Sequence, residues 1–406
     1  MPWRAPARYW SAMTHATAAL DPPIAAVYLG ALRHNAQDML VRAAGKPIRV
    51  ASKSVRVRSI LDAVLALPGY HGVLAYTLPE ALWLASESAE HPAIEDIVVA
   101  YPTVDRAAIL SLATSAEHAA RITVMVDSLA QLDVIDAVLP PGRREPIRVC
   151  LELDASWITR PLGHIGVWRS PVATAGSARA LAAAILKRPG FFLVGMMSYE
   201  AQIAGQVDRP PGRPAWGATV RWMQRSSAAE LIERRGRAVA AVRQIADLEF
   251  VNGGGTGSLE FTAADASTTE IAAGSGLLAG HLFDGYASFR PAPAAAFALS
   301  VVRKPTSQMA TILGGGWVAS GPPGGDRLPQ PVWPQGLAMV SREMAGEVQT
   351  PVTGTAAAAL VPGDRVWFRH TKSGELSEHV NEFQVVDGDR VVDVLTTYRG
   401  AGKAFL

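Results

Sequence analysis

From about residue 47 the chain alternates short runs of Val, Ile, Leu and Phe with longer amphipathic or alanine-rich stretches. The runs are Pro47–Ser54, Gly72–Thr77, Asp96–Thr103, Ala120–Ser128, Ile147–Ala155, Phe191–Glu200, Leu248–Gly253 and Thr268–Ala273. Most show little polar alternation, as strands buried on both faces do. Helices are predicted between them, over Val57–Leu67, Pro79–Ser88, Val104–Leu112, Ser128–Leu139, Ala175–Lys187 and Trp222–Ile245. Strand, helix, strand at a spacing of roughly 25 residues implies parallel pairing through right-handed crossovers. Eight such strands predict an α/β fold, a closed (β/α)8 TIM barrel.

Two stretches break this rhythm. Ser156–Thr174 is a Trp- and Arg-bearing insertion after the fifth strand, and Gln206–Ala215 is a Pro/Gly/Arg loop after the sixth. Both follow strand C-terminal ends, where barrels carry their chemistry. Beyond about residue 275 the helical patterns fade. Short runs such as Phe297–Val302, Arg365–Phe368, Glu382–Val386 and Val391–Leu395 are separated by Gly, Pro and Gly-Asp turns, and Gly314–Pro334 reads as a long surface connection. The expected division is an N-terminal segment 1–24, a barrel 25–276 and a mostly β C-terminal domain 277–406.

Composition narrows the function classes. The 406 residues are 49% apolar and 18% charged, which excludes a disordered chain. Lys plus Arg total 38 against 36 acids, so no nucleic-acid face is implied, and Arg143-Arg144 and Arg234–Arg237 read as solvated surface. The single Cys150, inside an apolar run, forms no intrachain disulfide and reads as core. No apolar run is long enough to span a membrane, and no secretory leader pattern is seen, so a cytoplasmic location is expected.

The strand ends hold the candidate chemistry. Strand one ends at Lys53, strand four at Asp127-Ser128, strand five at Glu152 and Asp154, and strand six at Ser198-Tyr199-Glu200. Strand seven runs into Gly253-Gly254-Gly255-Thr256-Gly257-Ser258. Glycines let backbone N–H groups approach an anion, and this place in a barrel suits a phosphate. Only six lysines occur in the chain, yet one of them, Lys53, closes the first strand. Apolar flanks favour a neutral amine that attacks carbonyls. A phosphate cradle and such a lysine on one barrel mouth are the two needs of pyridoxal 5′-phosphate.

With these residues in place, the chain resembles the fold-type III pyridoxal-phosphate enzymes with an alanine-racemase-type barrel. Within them it is most similar to the D-threonine aldolase and D-serine dehydratase group. The resemblance rests on Val50–Lys53, Val126–Ser128, Glu152–Asp154, Gly195–Tyr199, Asn252–Ser258, Thr269–Ser275 with Asp284 and Tyr286, and Tyr398–Gly400. It implies a Schiff base at Lys53, with Asn252, Gly254, Gly255, Thr256, Gly257 and Ser258 around the cofactor, helped by Gly274 and Ser275. Tyr199 would lie against the pyridine ring. It further implies a homodimer, an N-terminal segment packed with the C-terminal domain, and lyase action on D-configured β-hydroxy amino acids, with aldol cleavage ahead of dehydration or racemisation.

Two positions depart from the group. Its Arg-X-Gly-Val segment after strand five reads His164-Ile165-Gly166-Val167 here, making His164 a candidate acid/base and leaving Arg160 or Arg169 to supply a guanidinium. Its metal-binding His-X-Cys or His-X-Asp pair, counted back from Asn381, reads Glu375 and Ser377. His370 and His379 lie nearby as substitutes, so a metal at His370, Glu375 and His379 is one expectation and its absence another. Outside the lyase class stand a non-catalytic pyridoxal-phosphate carrier and a barrel enzyme acting on a phosphorylated metabolite without the cofactor.

Overall fold

The computed structural model describes residues 1–372 and 374–406. The chain's first strand, β1 (Ile24–Tyr28), precedes the barrel. The barrel strands are β2 (Ile48–Ala51), β3 (Tyr70–Ala75), β4 (Ile97–Val99), β5 (Ile122–Val126) and β6 (Ile147–Glu152), followed by β9 (Phe191–Ser198), β10 (Phe250–Gly253) and β11 (Glu270–Ala273). Each of these eight overlaps a predicted run; seven lie wholly inside theirs, and β3 begins two residues ahead of its run, at Tyr70. All pair in parallel, and β11 closes on β2 with Ile271 opposite Ile48. The insertion between β6 and β9 folds as a hairpin of β7 (Trp157–Thr159) and β8 (Gly163–Ile165). Ala51, Val98, Met125, Cys150, Phe250 and Ala272 share one buried cluster, so Cys150 is core.

The helix before β10 starts earlier than its apolar period suggested, running Pro214–Arg243. Pro214 stands in its first turn, where the missing N–H costs nothing and the fixed φ suits a helix. The loop ahead of it is correspondingly shorter.

A second compact unit comprises Met1–Asp38, Ser54–Ser59 and Ser275–Ala404, while the barrel unit holds Met39–Lys53, Ile60–Gly274 and Phe405–Leu406. By these contacts residues 25–38 fall with the β unit, where the sequence reading placed the start of the barrel. β1 pairs antiparallel with β12 (Ala295–Thr306) and parallel with β18 (Glu382–Asp387), so its hydrogen bonds belong to the β unit. The remaining strands are β13 (Met309–Leu313), β14 (Gln330–Trp333), β15 (Leu337–Met339), β16 (Gln349–Gly354), β17 (Arg365–Arg369) and β19 (Arg390–Thr396), giving a nine-stranded sheet. The stretch read as a connection over 314–334 thus ends in a strand, β14, paired with β17. Tyr9, Trp10 and Met13 of the helix Pro6–Ala16 pack into this unit's core beside Ala294, Ala296 and Trp367.

At the chain's other end, Phe405 packs on Tyr76 and Trp83 of the barrel unit, with ring centroids 6.4 and 5.7 Å apart.

Candidate active site

Lys53 stands on the short turn Ser52–Ser54 that follows β2, at the C-terminal mouth of the barrel. Its Nζ donates a 3.0 Å hydrogen bond to the Oη of Tyr101, two residues past the end of β4. The guanidinium of Arg169, from the insertion, lies 5.2 Å from the Tyr101 ring centre and 5.0 Å from that of Tyr199. Such placements attract a cation through the ring quadrupole. The same guanidinium approaches the Glu152 carboxylate at 3.8 Å.

These neighbours act on one another's protons. Burial raises the Glu152 carboxyl to about 7; Arg169 opposes this without winning, and Asp127 and Asp154 add to it. Burial likewise pushes Tyr199 up to about 12 against the pull of Arg169. At Tyr101 the balance reverses. Burial works to raise the phenol, but the charges of Lys53 and Arg169 outweigh it and the net shift is downward.

The glycine loop continues the same wall. Gly254 has φ +91°, and a Cβ there would lie 2.6 Å from the Ile271 side chain. A Cβ on Gly255 would stand 3.0 Å from Ala204 and 3.2 Å from the Tyr199 ring, so a side chain there would crowd the cradle. Behind the loop is a fully buried carboxylate, Glu200. It accepts from Gly254 N (3.2 Å), Ser258 Oγ (3.0 Å) and Thr262 Oγ1 (2.5 Å), and pairs with Arg235 at 3.3 Å. Arg42 holds the Thr256 carbonyl at 2.7 Å. The loop is thereby fixed from below, and the Ser258 hydroxyl expected to face a ligand is turned to Glu200 instead. Gly257 sits with Thr256 and Ser258 in one turn of 3-10 helix. Gly274 lies so close to β2 that a Cβ would come within 2.4 Å of the Ala51 carbonyl oxygen.

Three other expected residues are elsewhere. Asn252 points into the barrel, its Nδ2 donating 2.8 Å to Glu270. Ser275 opens the turn Ser275–Leu278 in the other compact unit. Arg160 is exposed at the hairpin tip, because the pairing of Thr159 with Gly163 lifts residues 160–162 away from the strand ends. Arg169 is the guanidinium that reaches the mouth. His164 stacks on Trp168 at 3.8 Å within the insertion, and its contacts do not extend to Lys53 or Tyr199. Tyr101 was not foreseen; its position just past a barrel strand was the available signal.

The expected metal donors do not fit a metal. Glu375 accepts the Lys372 N–H at 2.6 Å within its own turn, and Ser377 Oγ donates 2.7 Å to the Val55 carbonyl. His379 stacks on Trp317 at 4.3 Å, while His370 is fully buried. Among the described residues, no three His, Cys, Asp or Glu side chains gather in a group able to hold an ion. The mouth does fit pyridoxal 5′-phosphate. Contacts run unbroken from the Lys53 amine through Tyr101, Arg169 and Tyr199 to the open cradle at Gly255.

Comparison with known proteins agrees with this reading. Residues 27–277 match the family model described as alanine racemase, N-terminal domain. Among solved structures, D-threonine aldolase from Filomicrobium marinum is 20% identical with a TM-score of 0.76, covering 94% of this chain and 96% of its own. D-threo-3-hydroxyaspartate dehydratase from Delftia sp. HT23 is 18% identical with a TM-score of 0.68, covering 93% and 97%. Alanine racemase from Corynebacterium glutamicum is 18% identical at 0.55, covering 86% and 92%. A search of curated proteins returns no match. Barrel, amine and glycine cradle together with the family match over 27–277 lead to one conclusion: the chain belongs to the alanine racemase N-terminal domain family, the pyridoxal-phosphate barrels of fold type III.

Proposed function

We propose that this protein is a pyridoxal-phosphate-dependent lyase that cleaves the Cα–Cβ bond of D-configured β-hydroxy amino acids and releases an aldehyde. The observation that carries the reading is the contact path from the Lys53 amine to the glycine cradle, in a chain similar along 94% of its length to a D-threonine aldolase. The cofactor, when bound, draws electrons from Cα so that one bond to it breaks. The protein's own residues supply the rest. Lys53 provides the amine that holds the cofactor, and Gly254, Gly255, Thr256 and Gly257 provide its phosphate contacts. Arg169, fixed between two rings, offers a permanent cation. Glu152, close to half-protonated at neutral pH, gives or takes a proton at its carboxylate oxygens.

A second reading, loss of the β-hydroxyl as in a dehydratase, draws support from the likeness to the hydroxyaspartate dehydratase. One experiment separates the two. Purified protein with pyridoxal phosphate is given D-threonine, D-serine and their L-forms, and aldehyde, ammonia and inverted amino acid are each measured, with and without chelator. Aldehyde from the D-substrate, unaffected by chelator, is the expected result. Ammonia with a keto acid selects the dehydratase, and inversion alone selects a racemase. A visible band without turnover identifies a carrier, and no band at all removes the cofactor reading. We further propose that the protein works as a homodimer, which sedimentation at twice 43.0 kDa would show.

A further inference from the structure

We propose that Tyr101 is a second catalytic residue of this mouth: its Oη takes a proton from the Lys53 ammonium, so that the amine is neutral when it attacks an aldehyde carbon. The proposal rests on Lys53 being the cofactor-bonding amine.

The geometry supplies the contact. Nζ and Oη are 3.0 Å apart, with the lysine as donor, so a proton can pass between them without rearrangement. When it does, one N–H bond breaks and its electron pair stays on Nζ. An O–H bond forms on Oη, and phenolate becomes phenol. The reverse transfer restores both groups when the amine is released, so no outside acid or base is consumed. An ammonium has no lone pair and cannot attack; the transfer creates the nucleophile.

Four charged or titratable groups face the phenol, from four different places in the barrel. Lys53 approaches from the turn after β2, Arg169 from the insertion, Glu152 from the end of β6 and Tyr199 from beyond β9. Burial and Glu152 raise the phenol's pKa, whereas the two cations lower it, and the net shift is downward. A phenol in water lacks such neighbours; here they make the phenolate, the form that can accept the lysine's proton, easier to reach. Arg169 therefore has a specific part here. Lying over the ring, it helps hold Tyr101 ready as an acceptor.

A shared proton has a signature that a lone lysine lacks. While the Lys53–Tyr101 pair holds one titratable proton, that proton is on Nζ or on Oη in a ratio that does not depend on pH. The neutral-amine fraction is then flat across that range. A lone lysine instead becomes about tenfold more reactive per pH unit below its midpoint.

The test labels the full-length protein, without added cofactor, with trace acetic anhydride from pH 6 to 11. Acetylated Lys53 is quantified by mass spectrometry against the exposed Lys187. In the wild type, Lys53 reactivity is expected to change by less than about threefold per pH unit over part of the range, and Tyr101→Phe should restore the rise of about tenfold per unit. A single-proton rise in the wild type, or a plateau surviving in Tyr101→Phe, overturns the proposal. If Tyr101→Phe fails to fold, Arg169→Met serves in its place. It should move the low-pH edge of the plateau upward, and an unmoved edge overturns the proposal. Because no cofactor is present, the outcomes separate. A plateau in a protein that gains no visible band with pyridoxal phosphate sinks the functional reading and leaves the proton step standing. A band without a plateau does the reverse.

Discussion

The two ends of the barrel treat buried charge in opposite ways. At the N-terminal end, Arg49 is almost fully buried and donates to Asp96 through two bonds of 2.9 Å and to Glu270 through bonds of 2.7 and 2.9 Å. His71 adds a 2.7 Å contact to Asp96, and the cluster lines a cavity of about 440 Å³. Burial works against ionising Arg49, yet its two carboxylates outweigh it and raise its pKa; burial also opposes ionising Asp96, yet His71 and Arg49 hold it well below the usual carboxylate range. At the C-terminal mouth, Glu152 has one cation at 3.8 Å, and there burial wins. The lesson is one of geometry. Two-armed pairing offsets desolvation, whereas a single long contact leaves a carboxyl that titrates near neutrality. Barrels commonly keep stability at the first end and chemistry at the second, and here the pairing distances show how that division is made.

The largest effect that would sharpen this contrast is the loss of the mouth's amine. Lys53→Ala should abolish the visible cofactor band and lower turnover on the order of a thousandfold or more, with an unchanged denaturant midpoint. A retained, borohydride-reducible band would break it. Next comes Arg49→Met at the other end, which leaves Glu270 buried without its cation. We expect a stability loss of about 3–5 kcal/mol in denaturant unfolding, while the molecules that remain folded keep their cofactor band.

Glu152 gives a smaller, pH-dependent prediction. Its folded pKa of about 7 is above the ordinary 4.5, so the native state binds this proton more readily than the unfolded chain does. Stability therefore falls as pH rises through that window, and the penalty is complete above it. Glu152→Gln should be more stable than wild type by about 1–3 kcal/mol at pH 8, with no gain at pH 4. An equal gain at both pH values would show that charge is not the cause.

The smallest effect belongs to His71, more than half exposed beside Asp96, whose hydrogen bond raises the imidazole above its ordinary 6.5. Its contribution is fully present below that value and is lost as pH rises through the folded pKa. Solvent screening limits it to less than about 1 kcal/mol. His71→Ala should cost this amount at pH 5.5 and nothing at pH 9, as read from paired unfolding curves.

Much of this molecule could be read before its structure was known. All eight barrel strands overlapped the predicted runs, with only the start of β3 at Tyr70-His71 outside its run, because parallel strands buried on both faces need unbroken β-branched and apolar residues. Lys53 stood out because lysine is rare in the chain, and the glycine run because glycines after a barrel strand mark a close backbone approach, which Gly254 and Gly255 make. The pairing of β1 could not be read the same way. Ile24–Tyr28 is apolar throughout and would suit either sheet; only the availability of β12 and β18 as partners settles it. The sequence reading put Arg160 ahead of Arg169, and the structure places Arg160 at the exposed hairpin tip and Arg169 between the Tyr101 and Tyr199 rings.

The sequence by itself thus determined the barrel, the amine at its mouth and the cradle facing it. These follow from local periodicity and from residue types with narrow backbone or chemical uses. Tertiary structure alone decided which side chains gather at that mouth. Tyr101, Glu152, Arg169 and Tyr199 come from separate parts of the chain, and the proton affinities of Tyr101, Glu152 and Tyr199 depend on distances of a few ångströms and on shared burial. No local pattern encodes such distances. They exist once eight strand ends have been drawn into one ring.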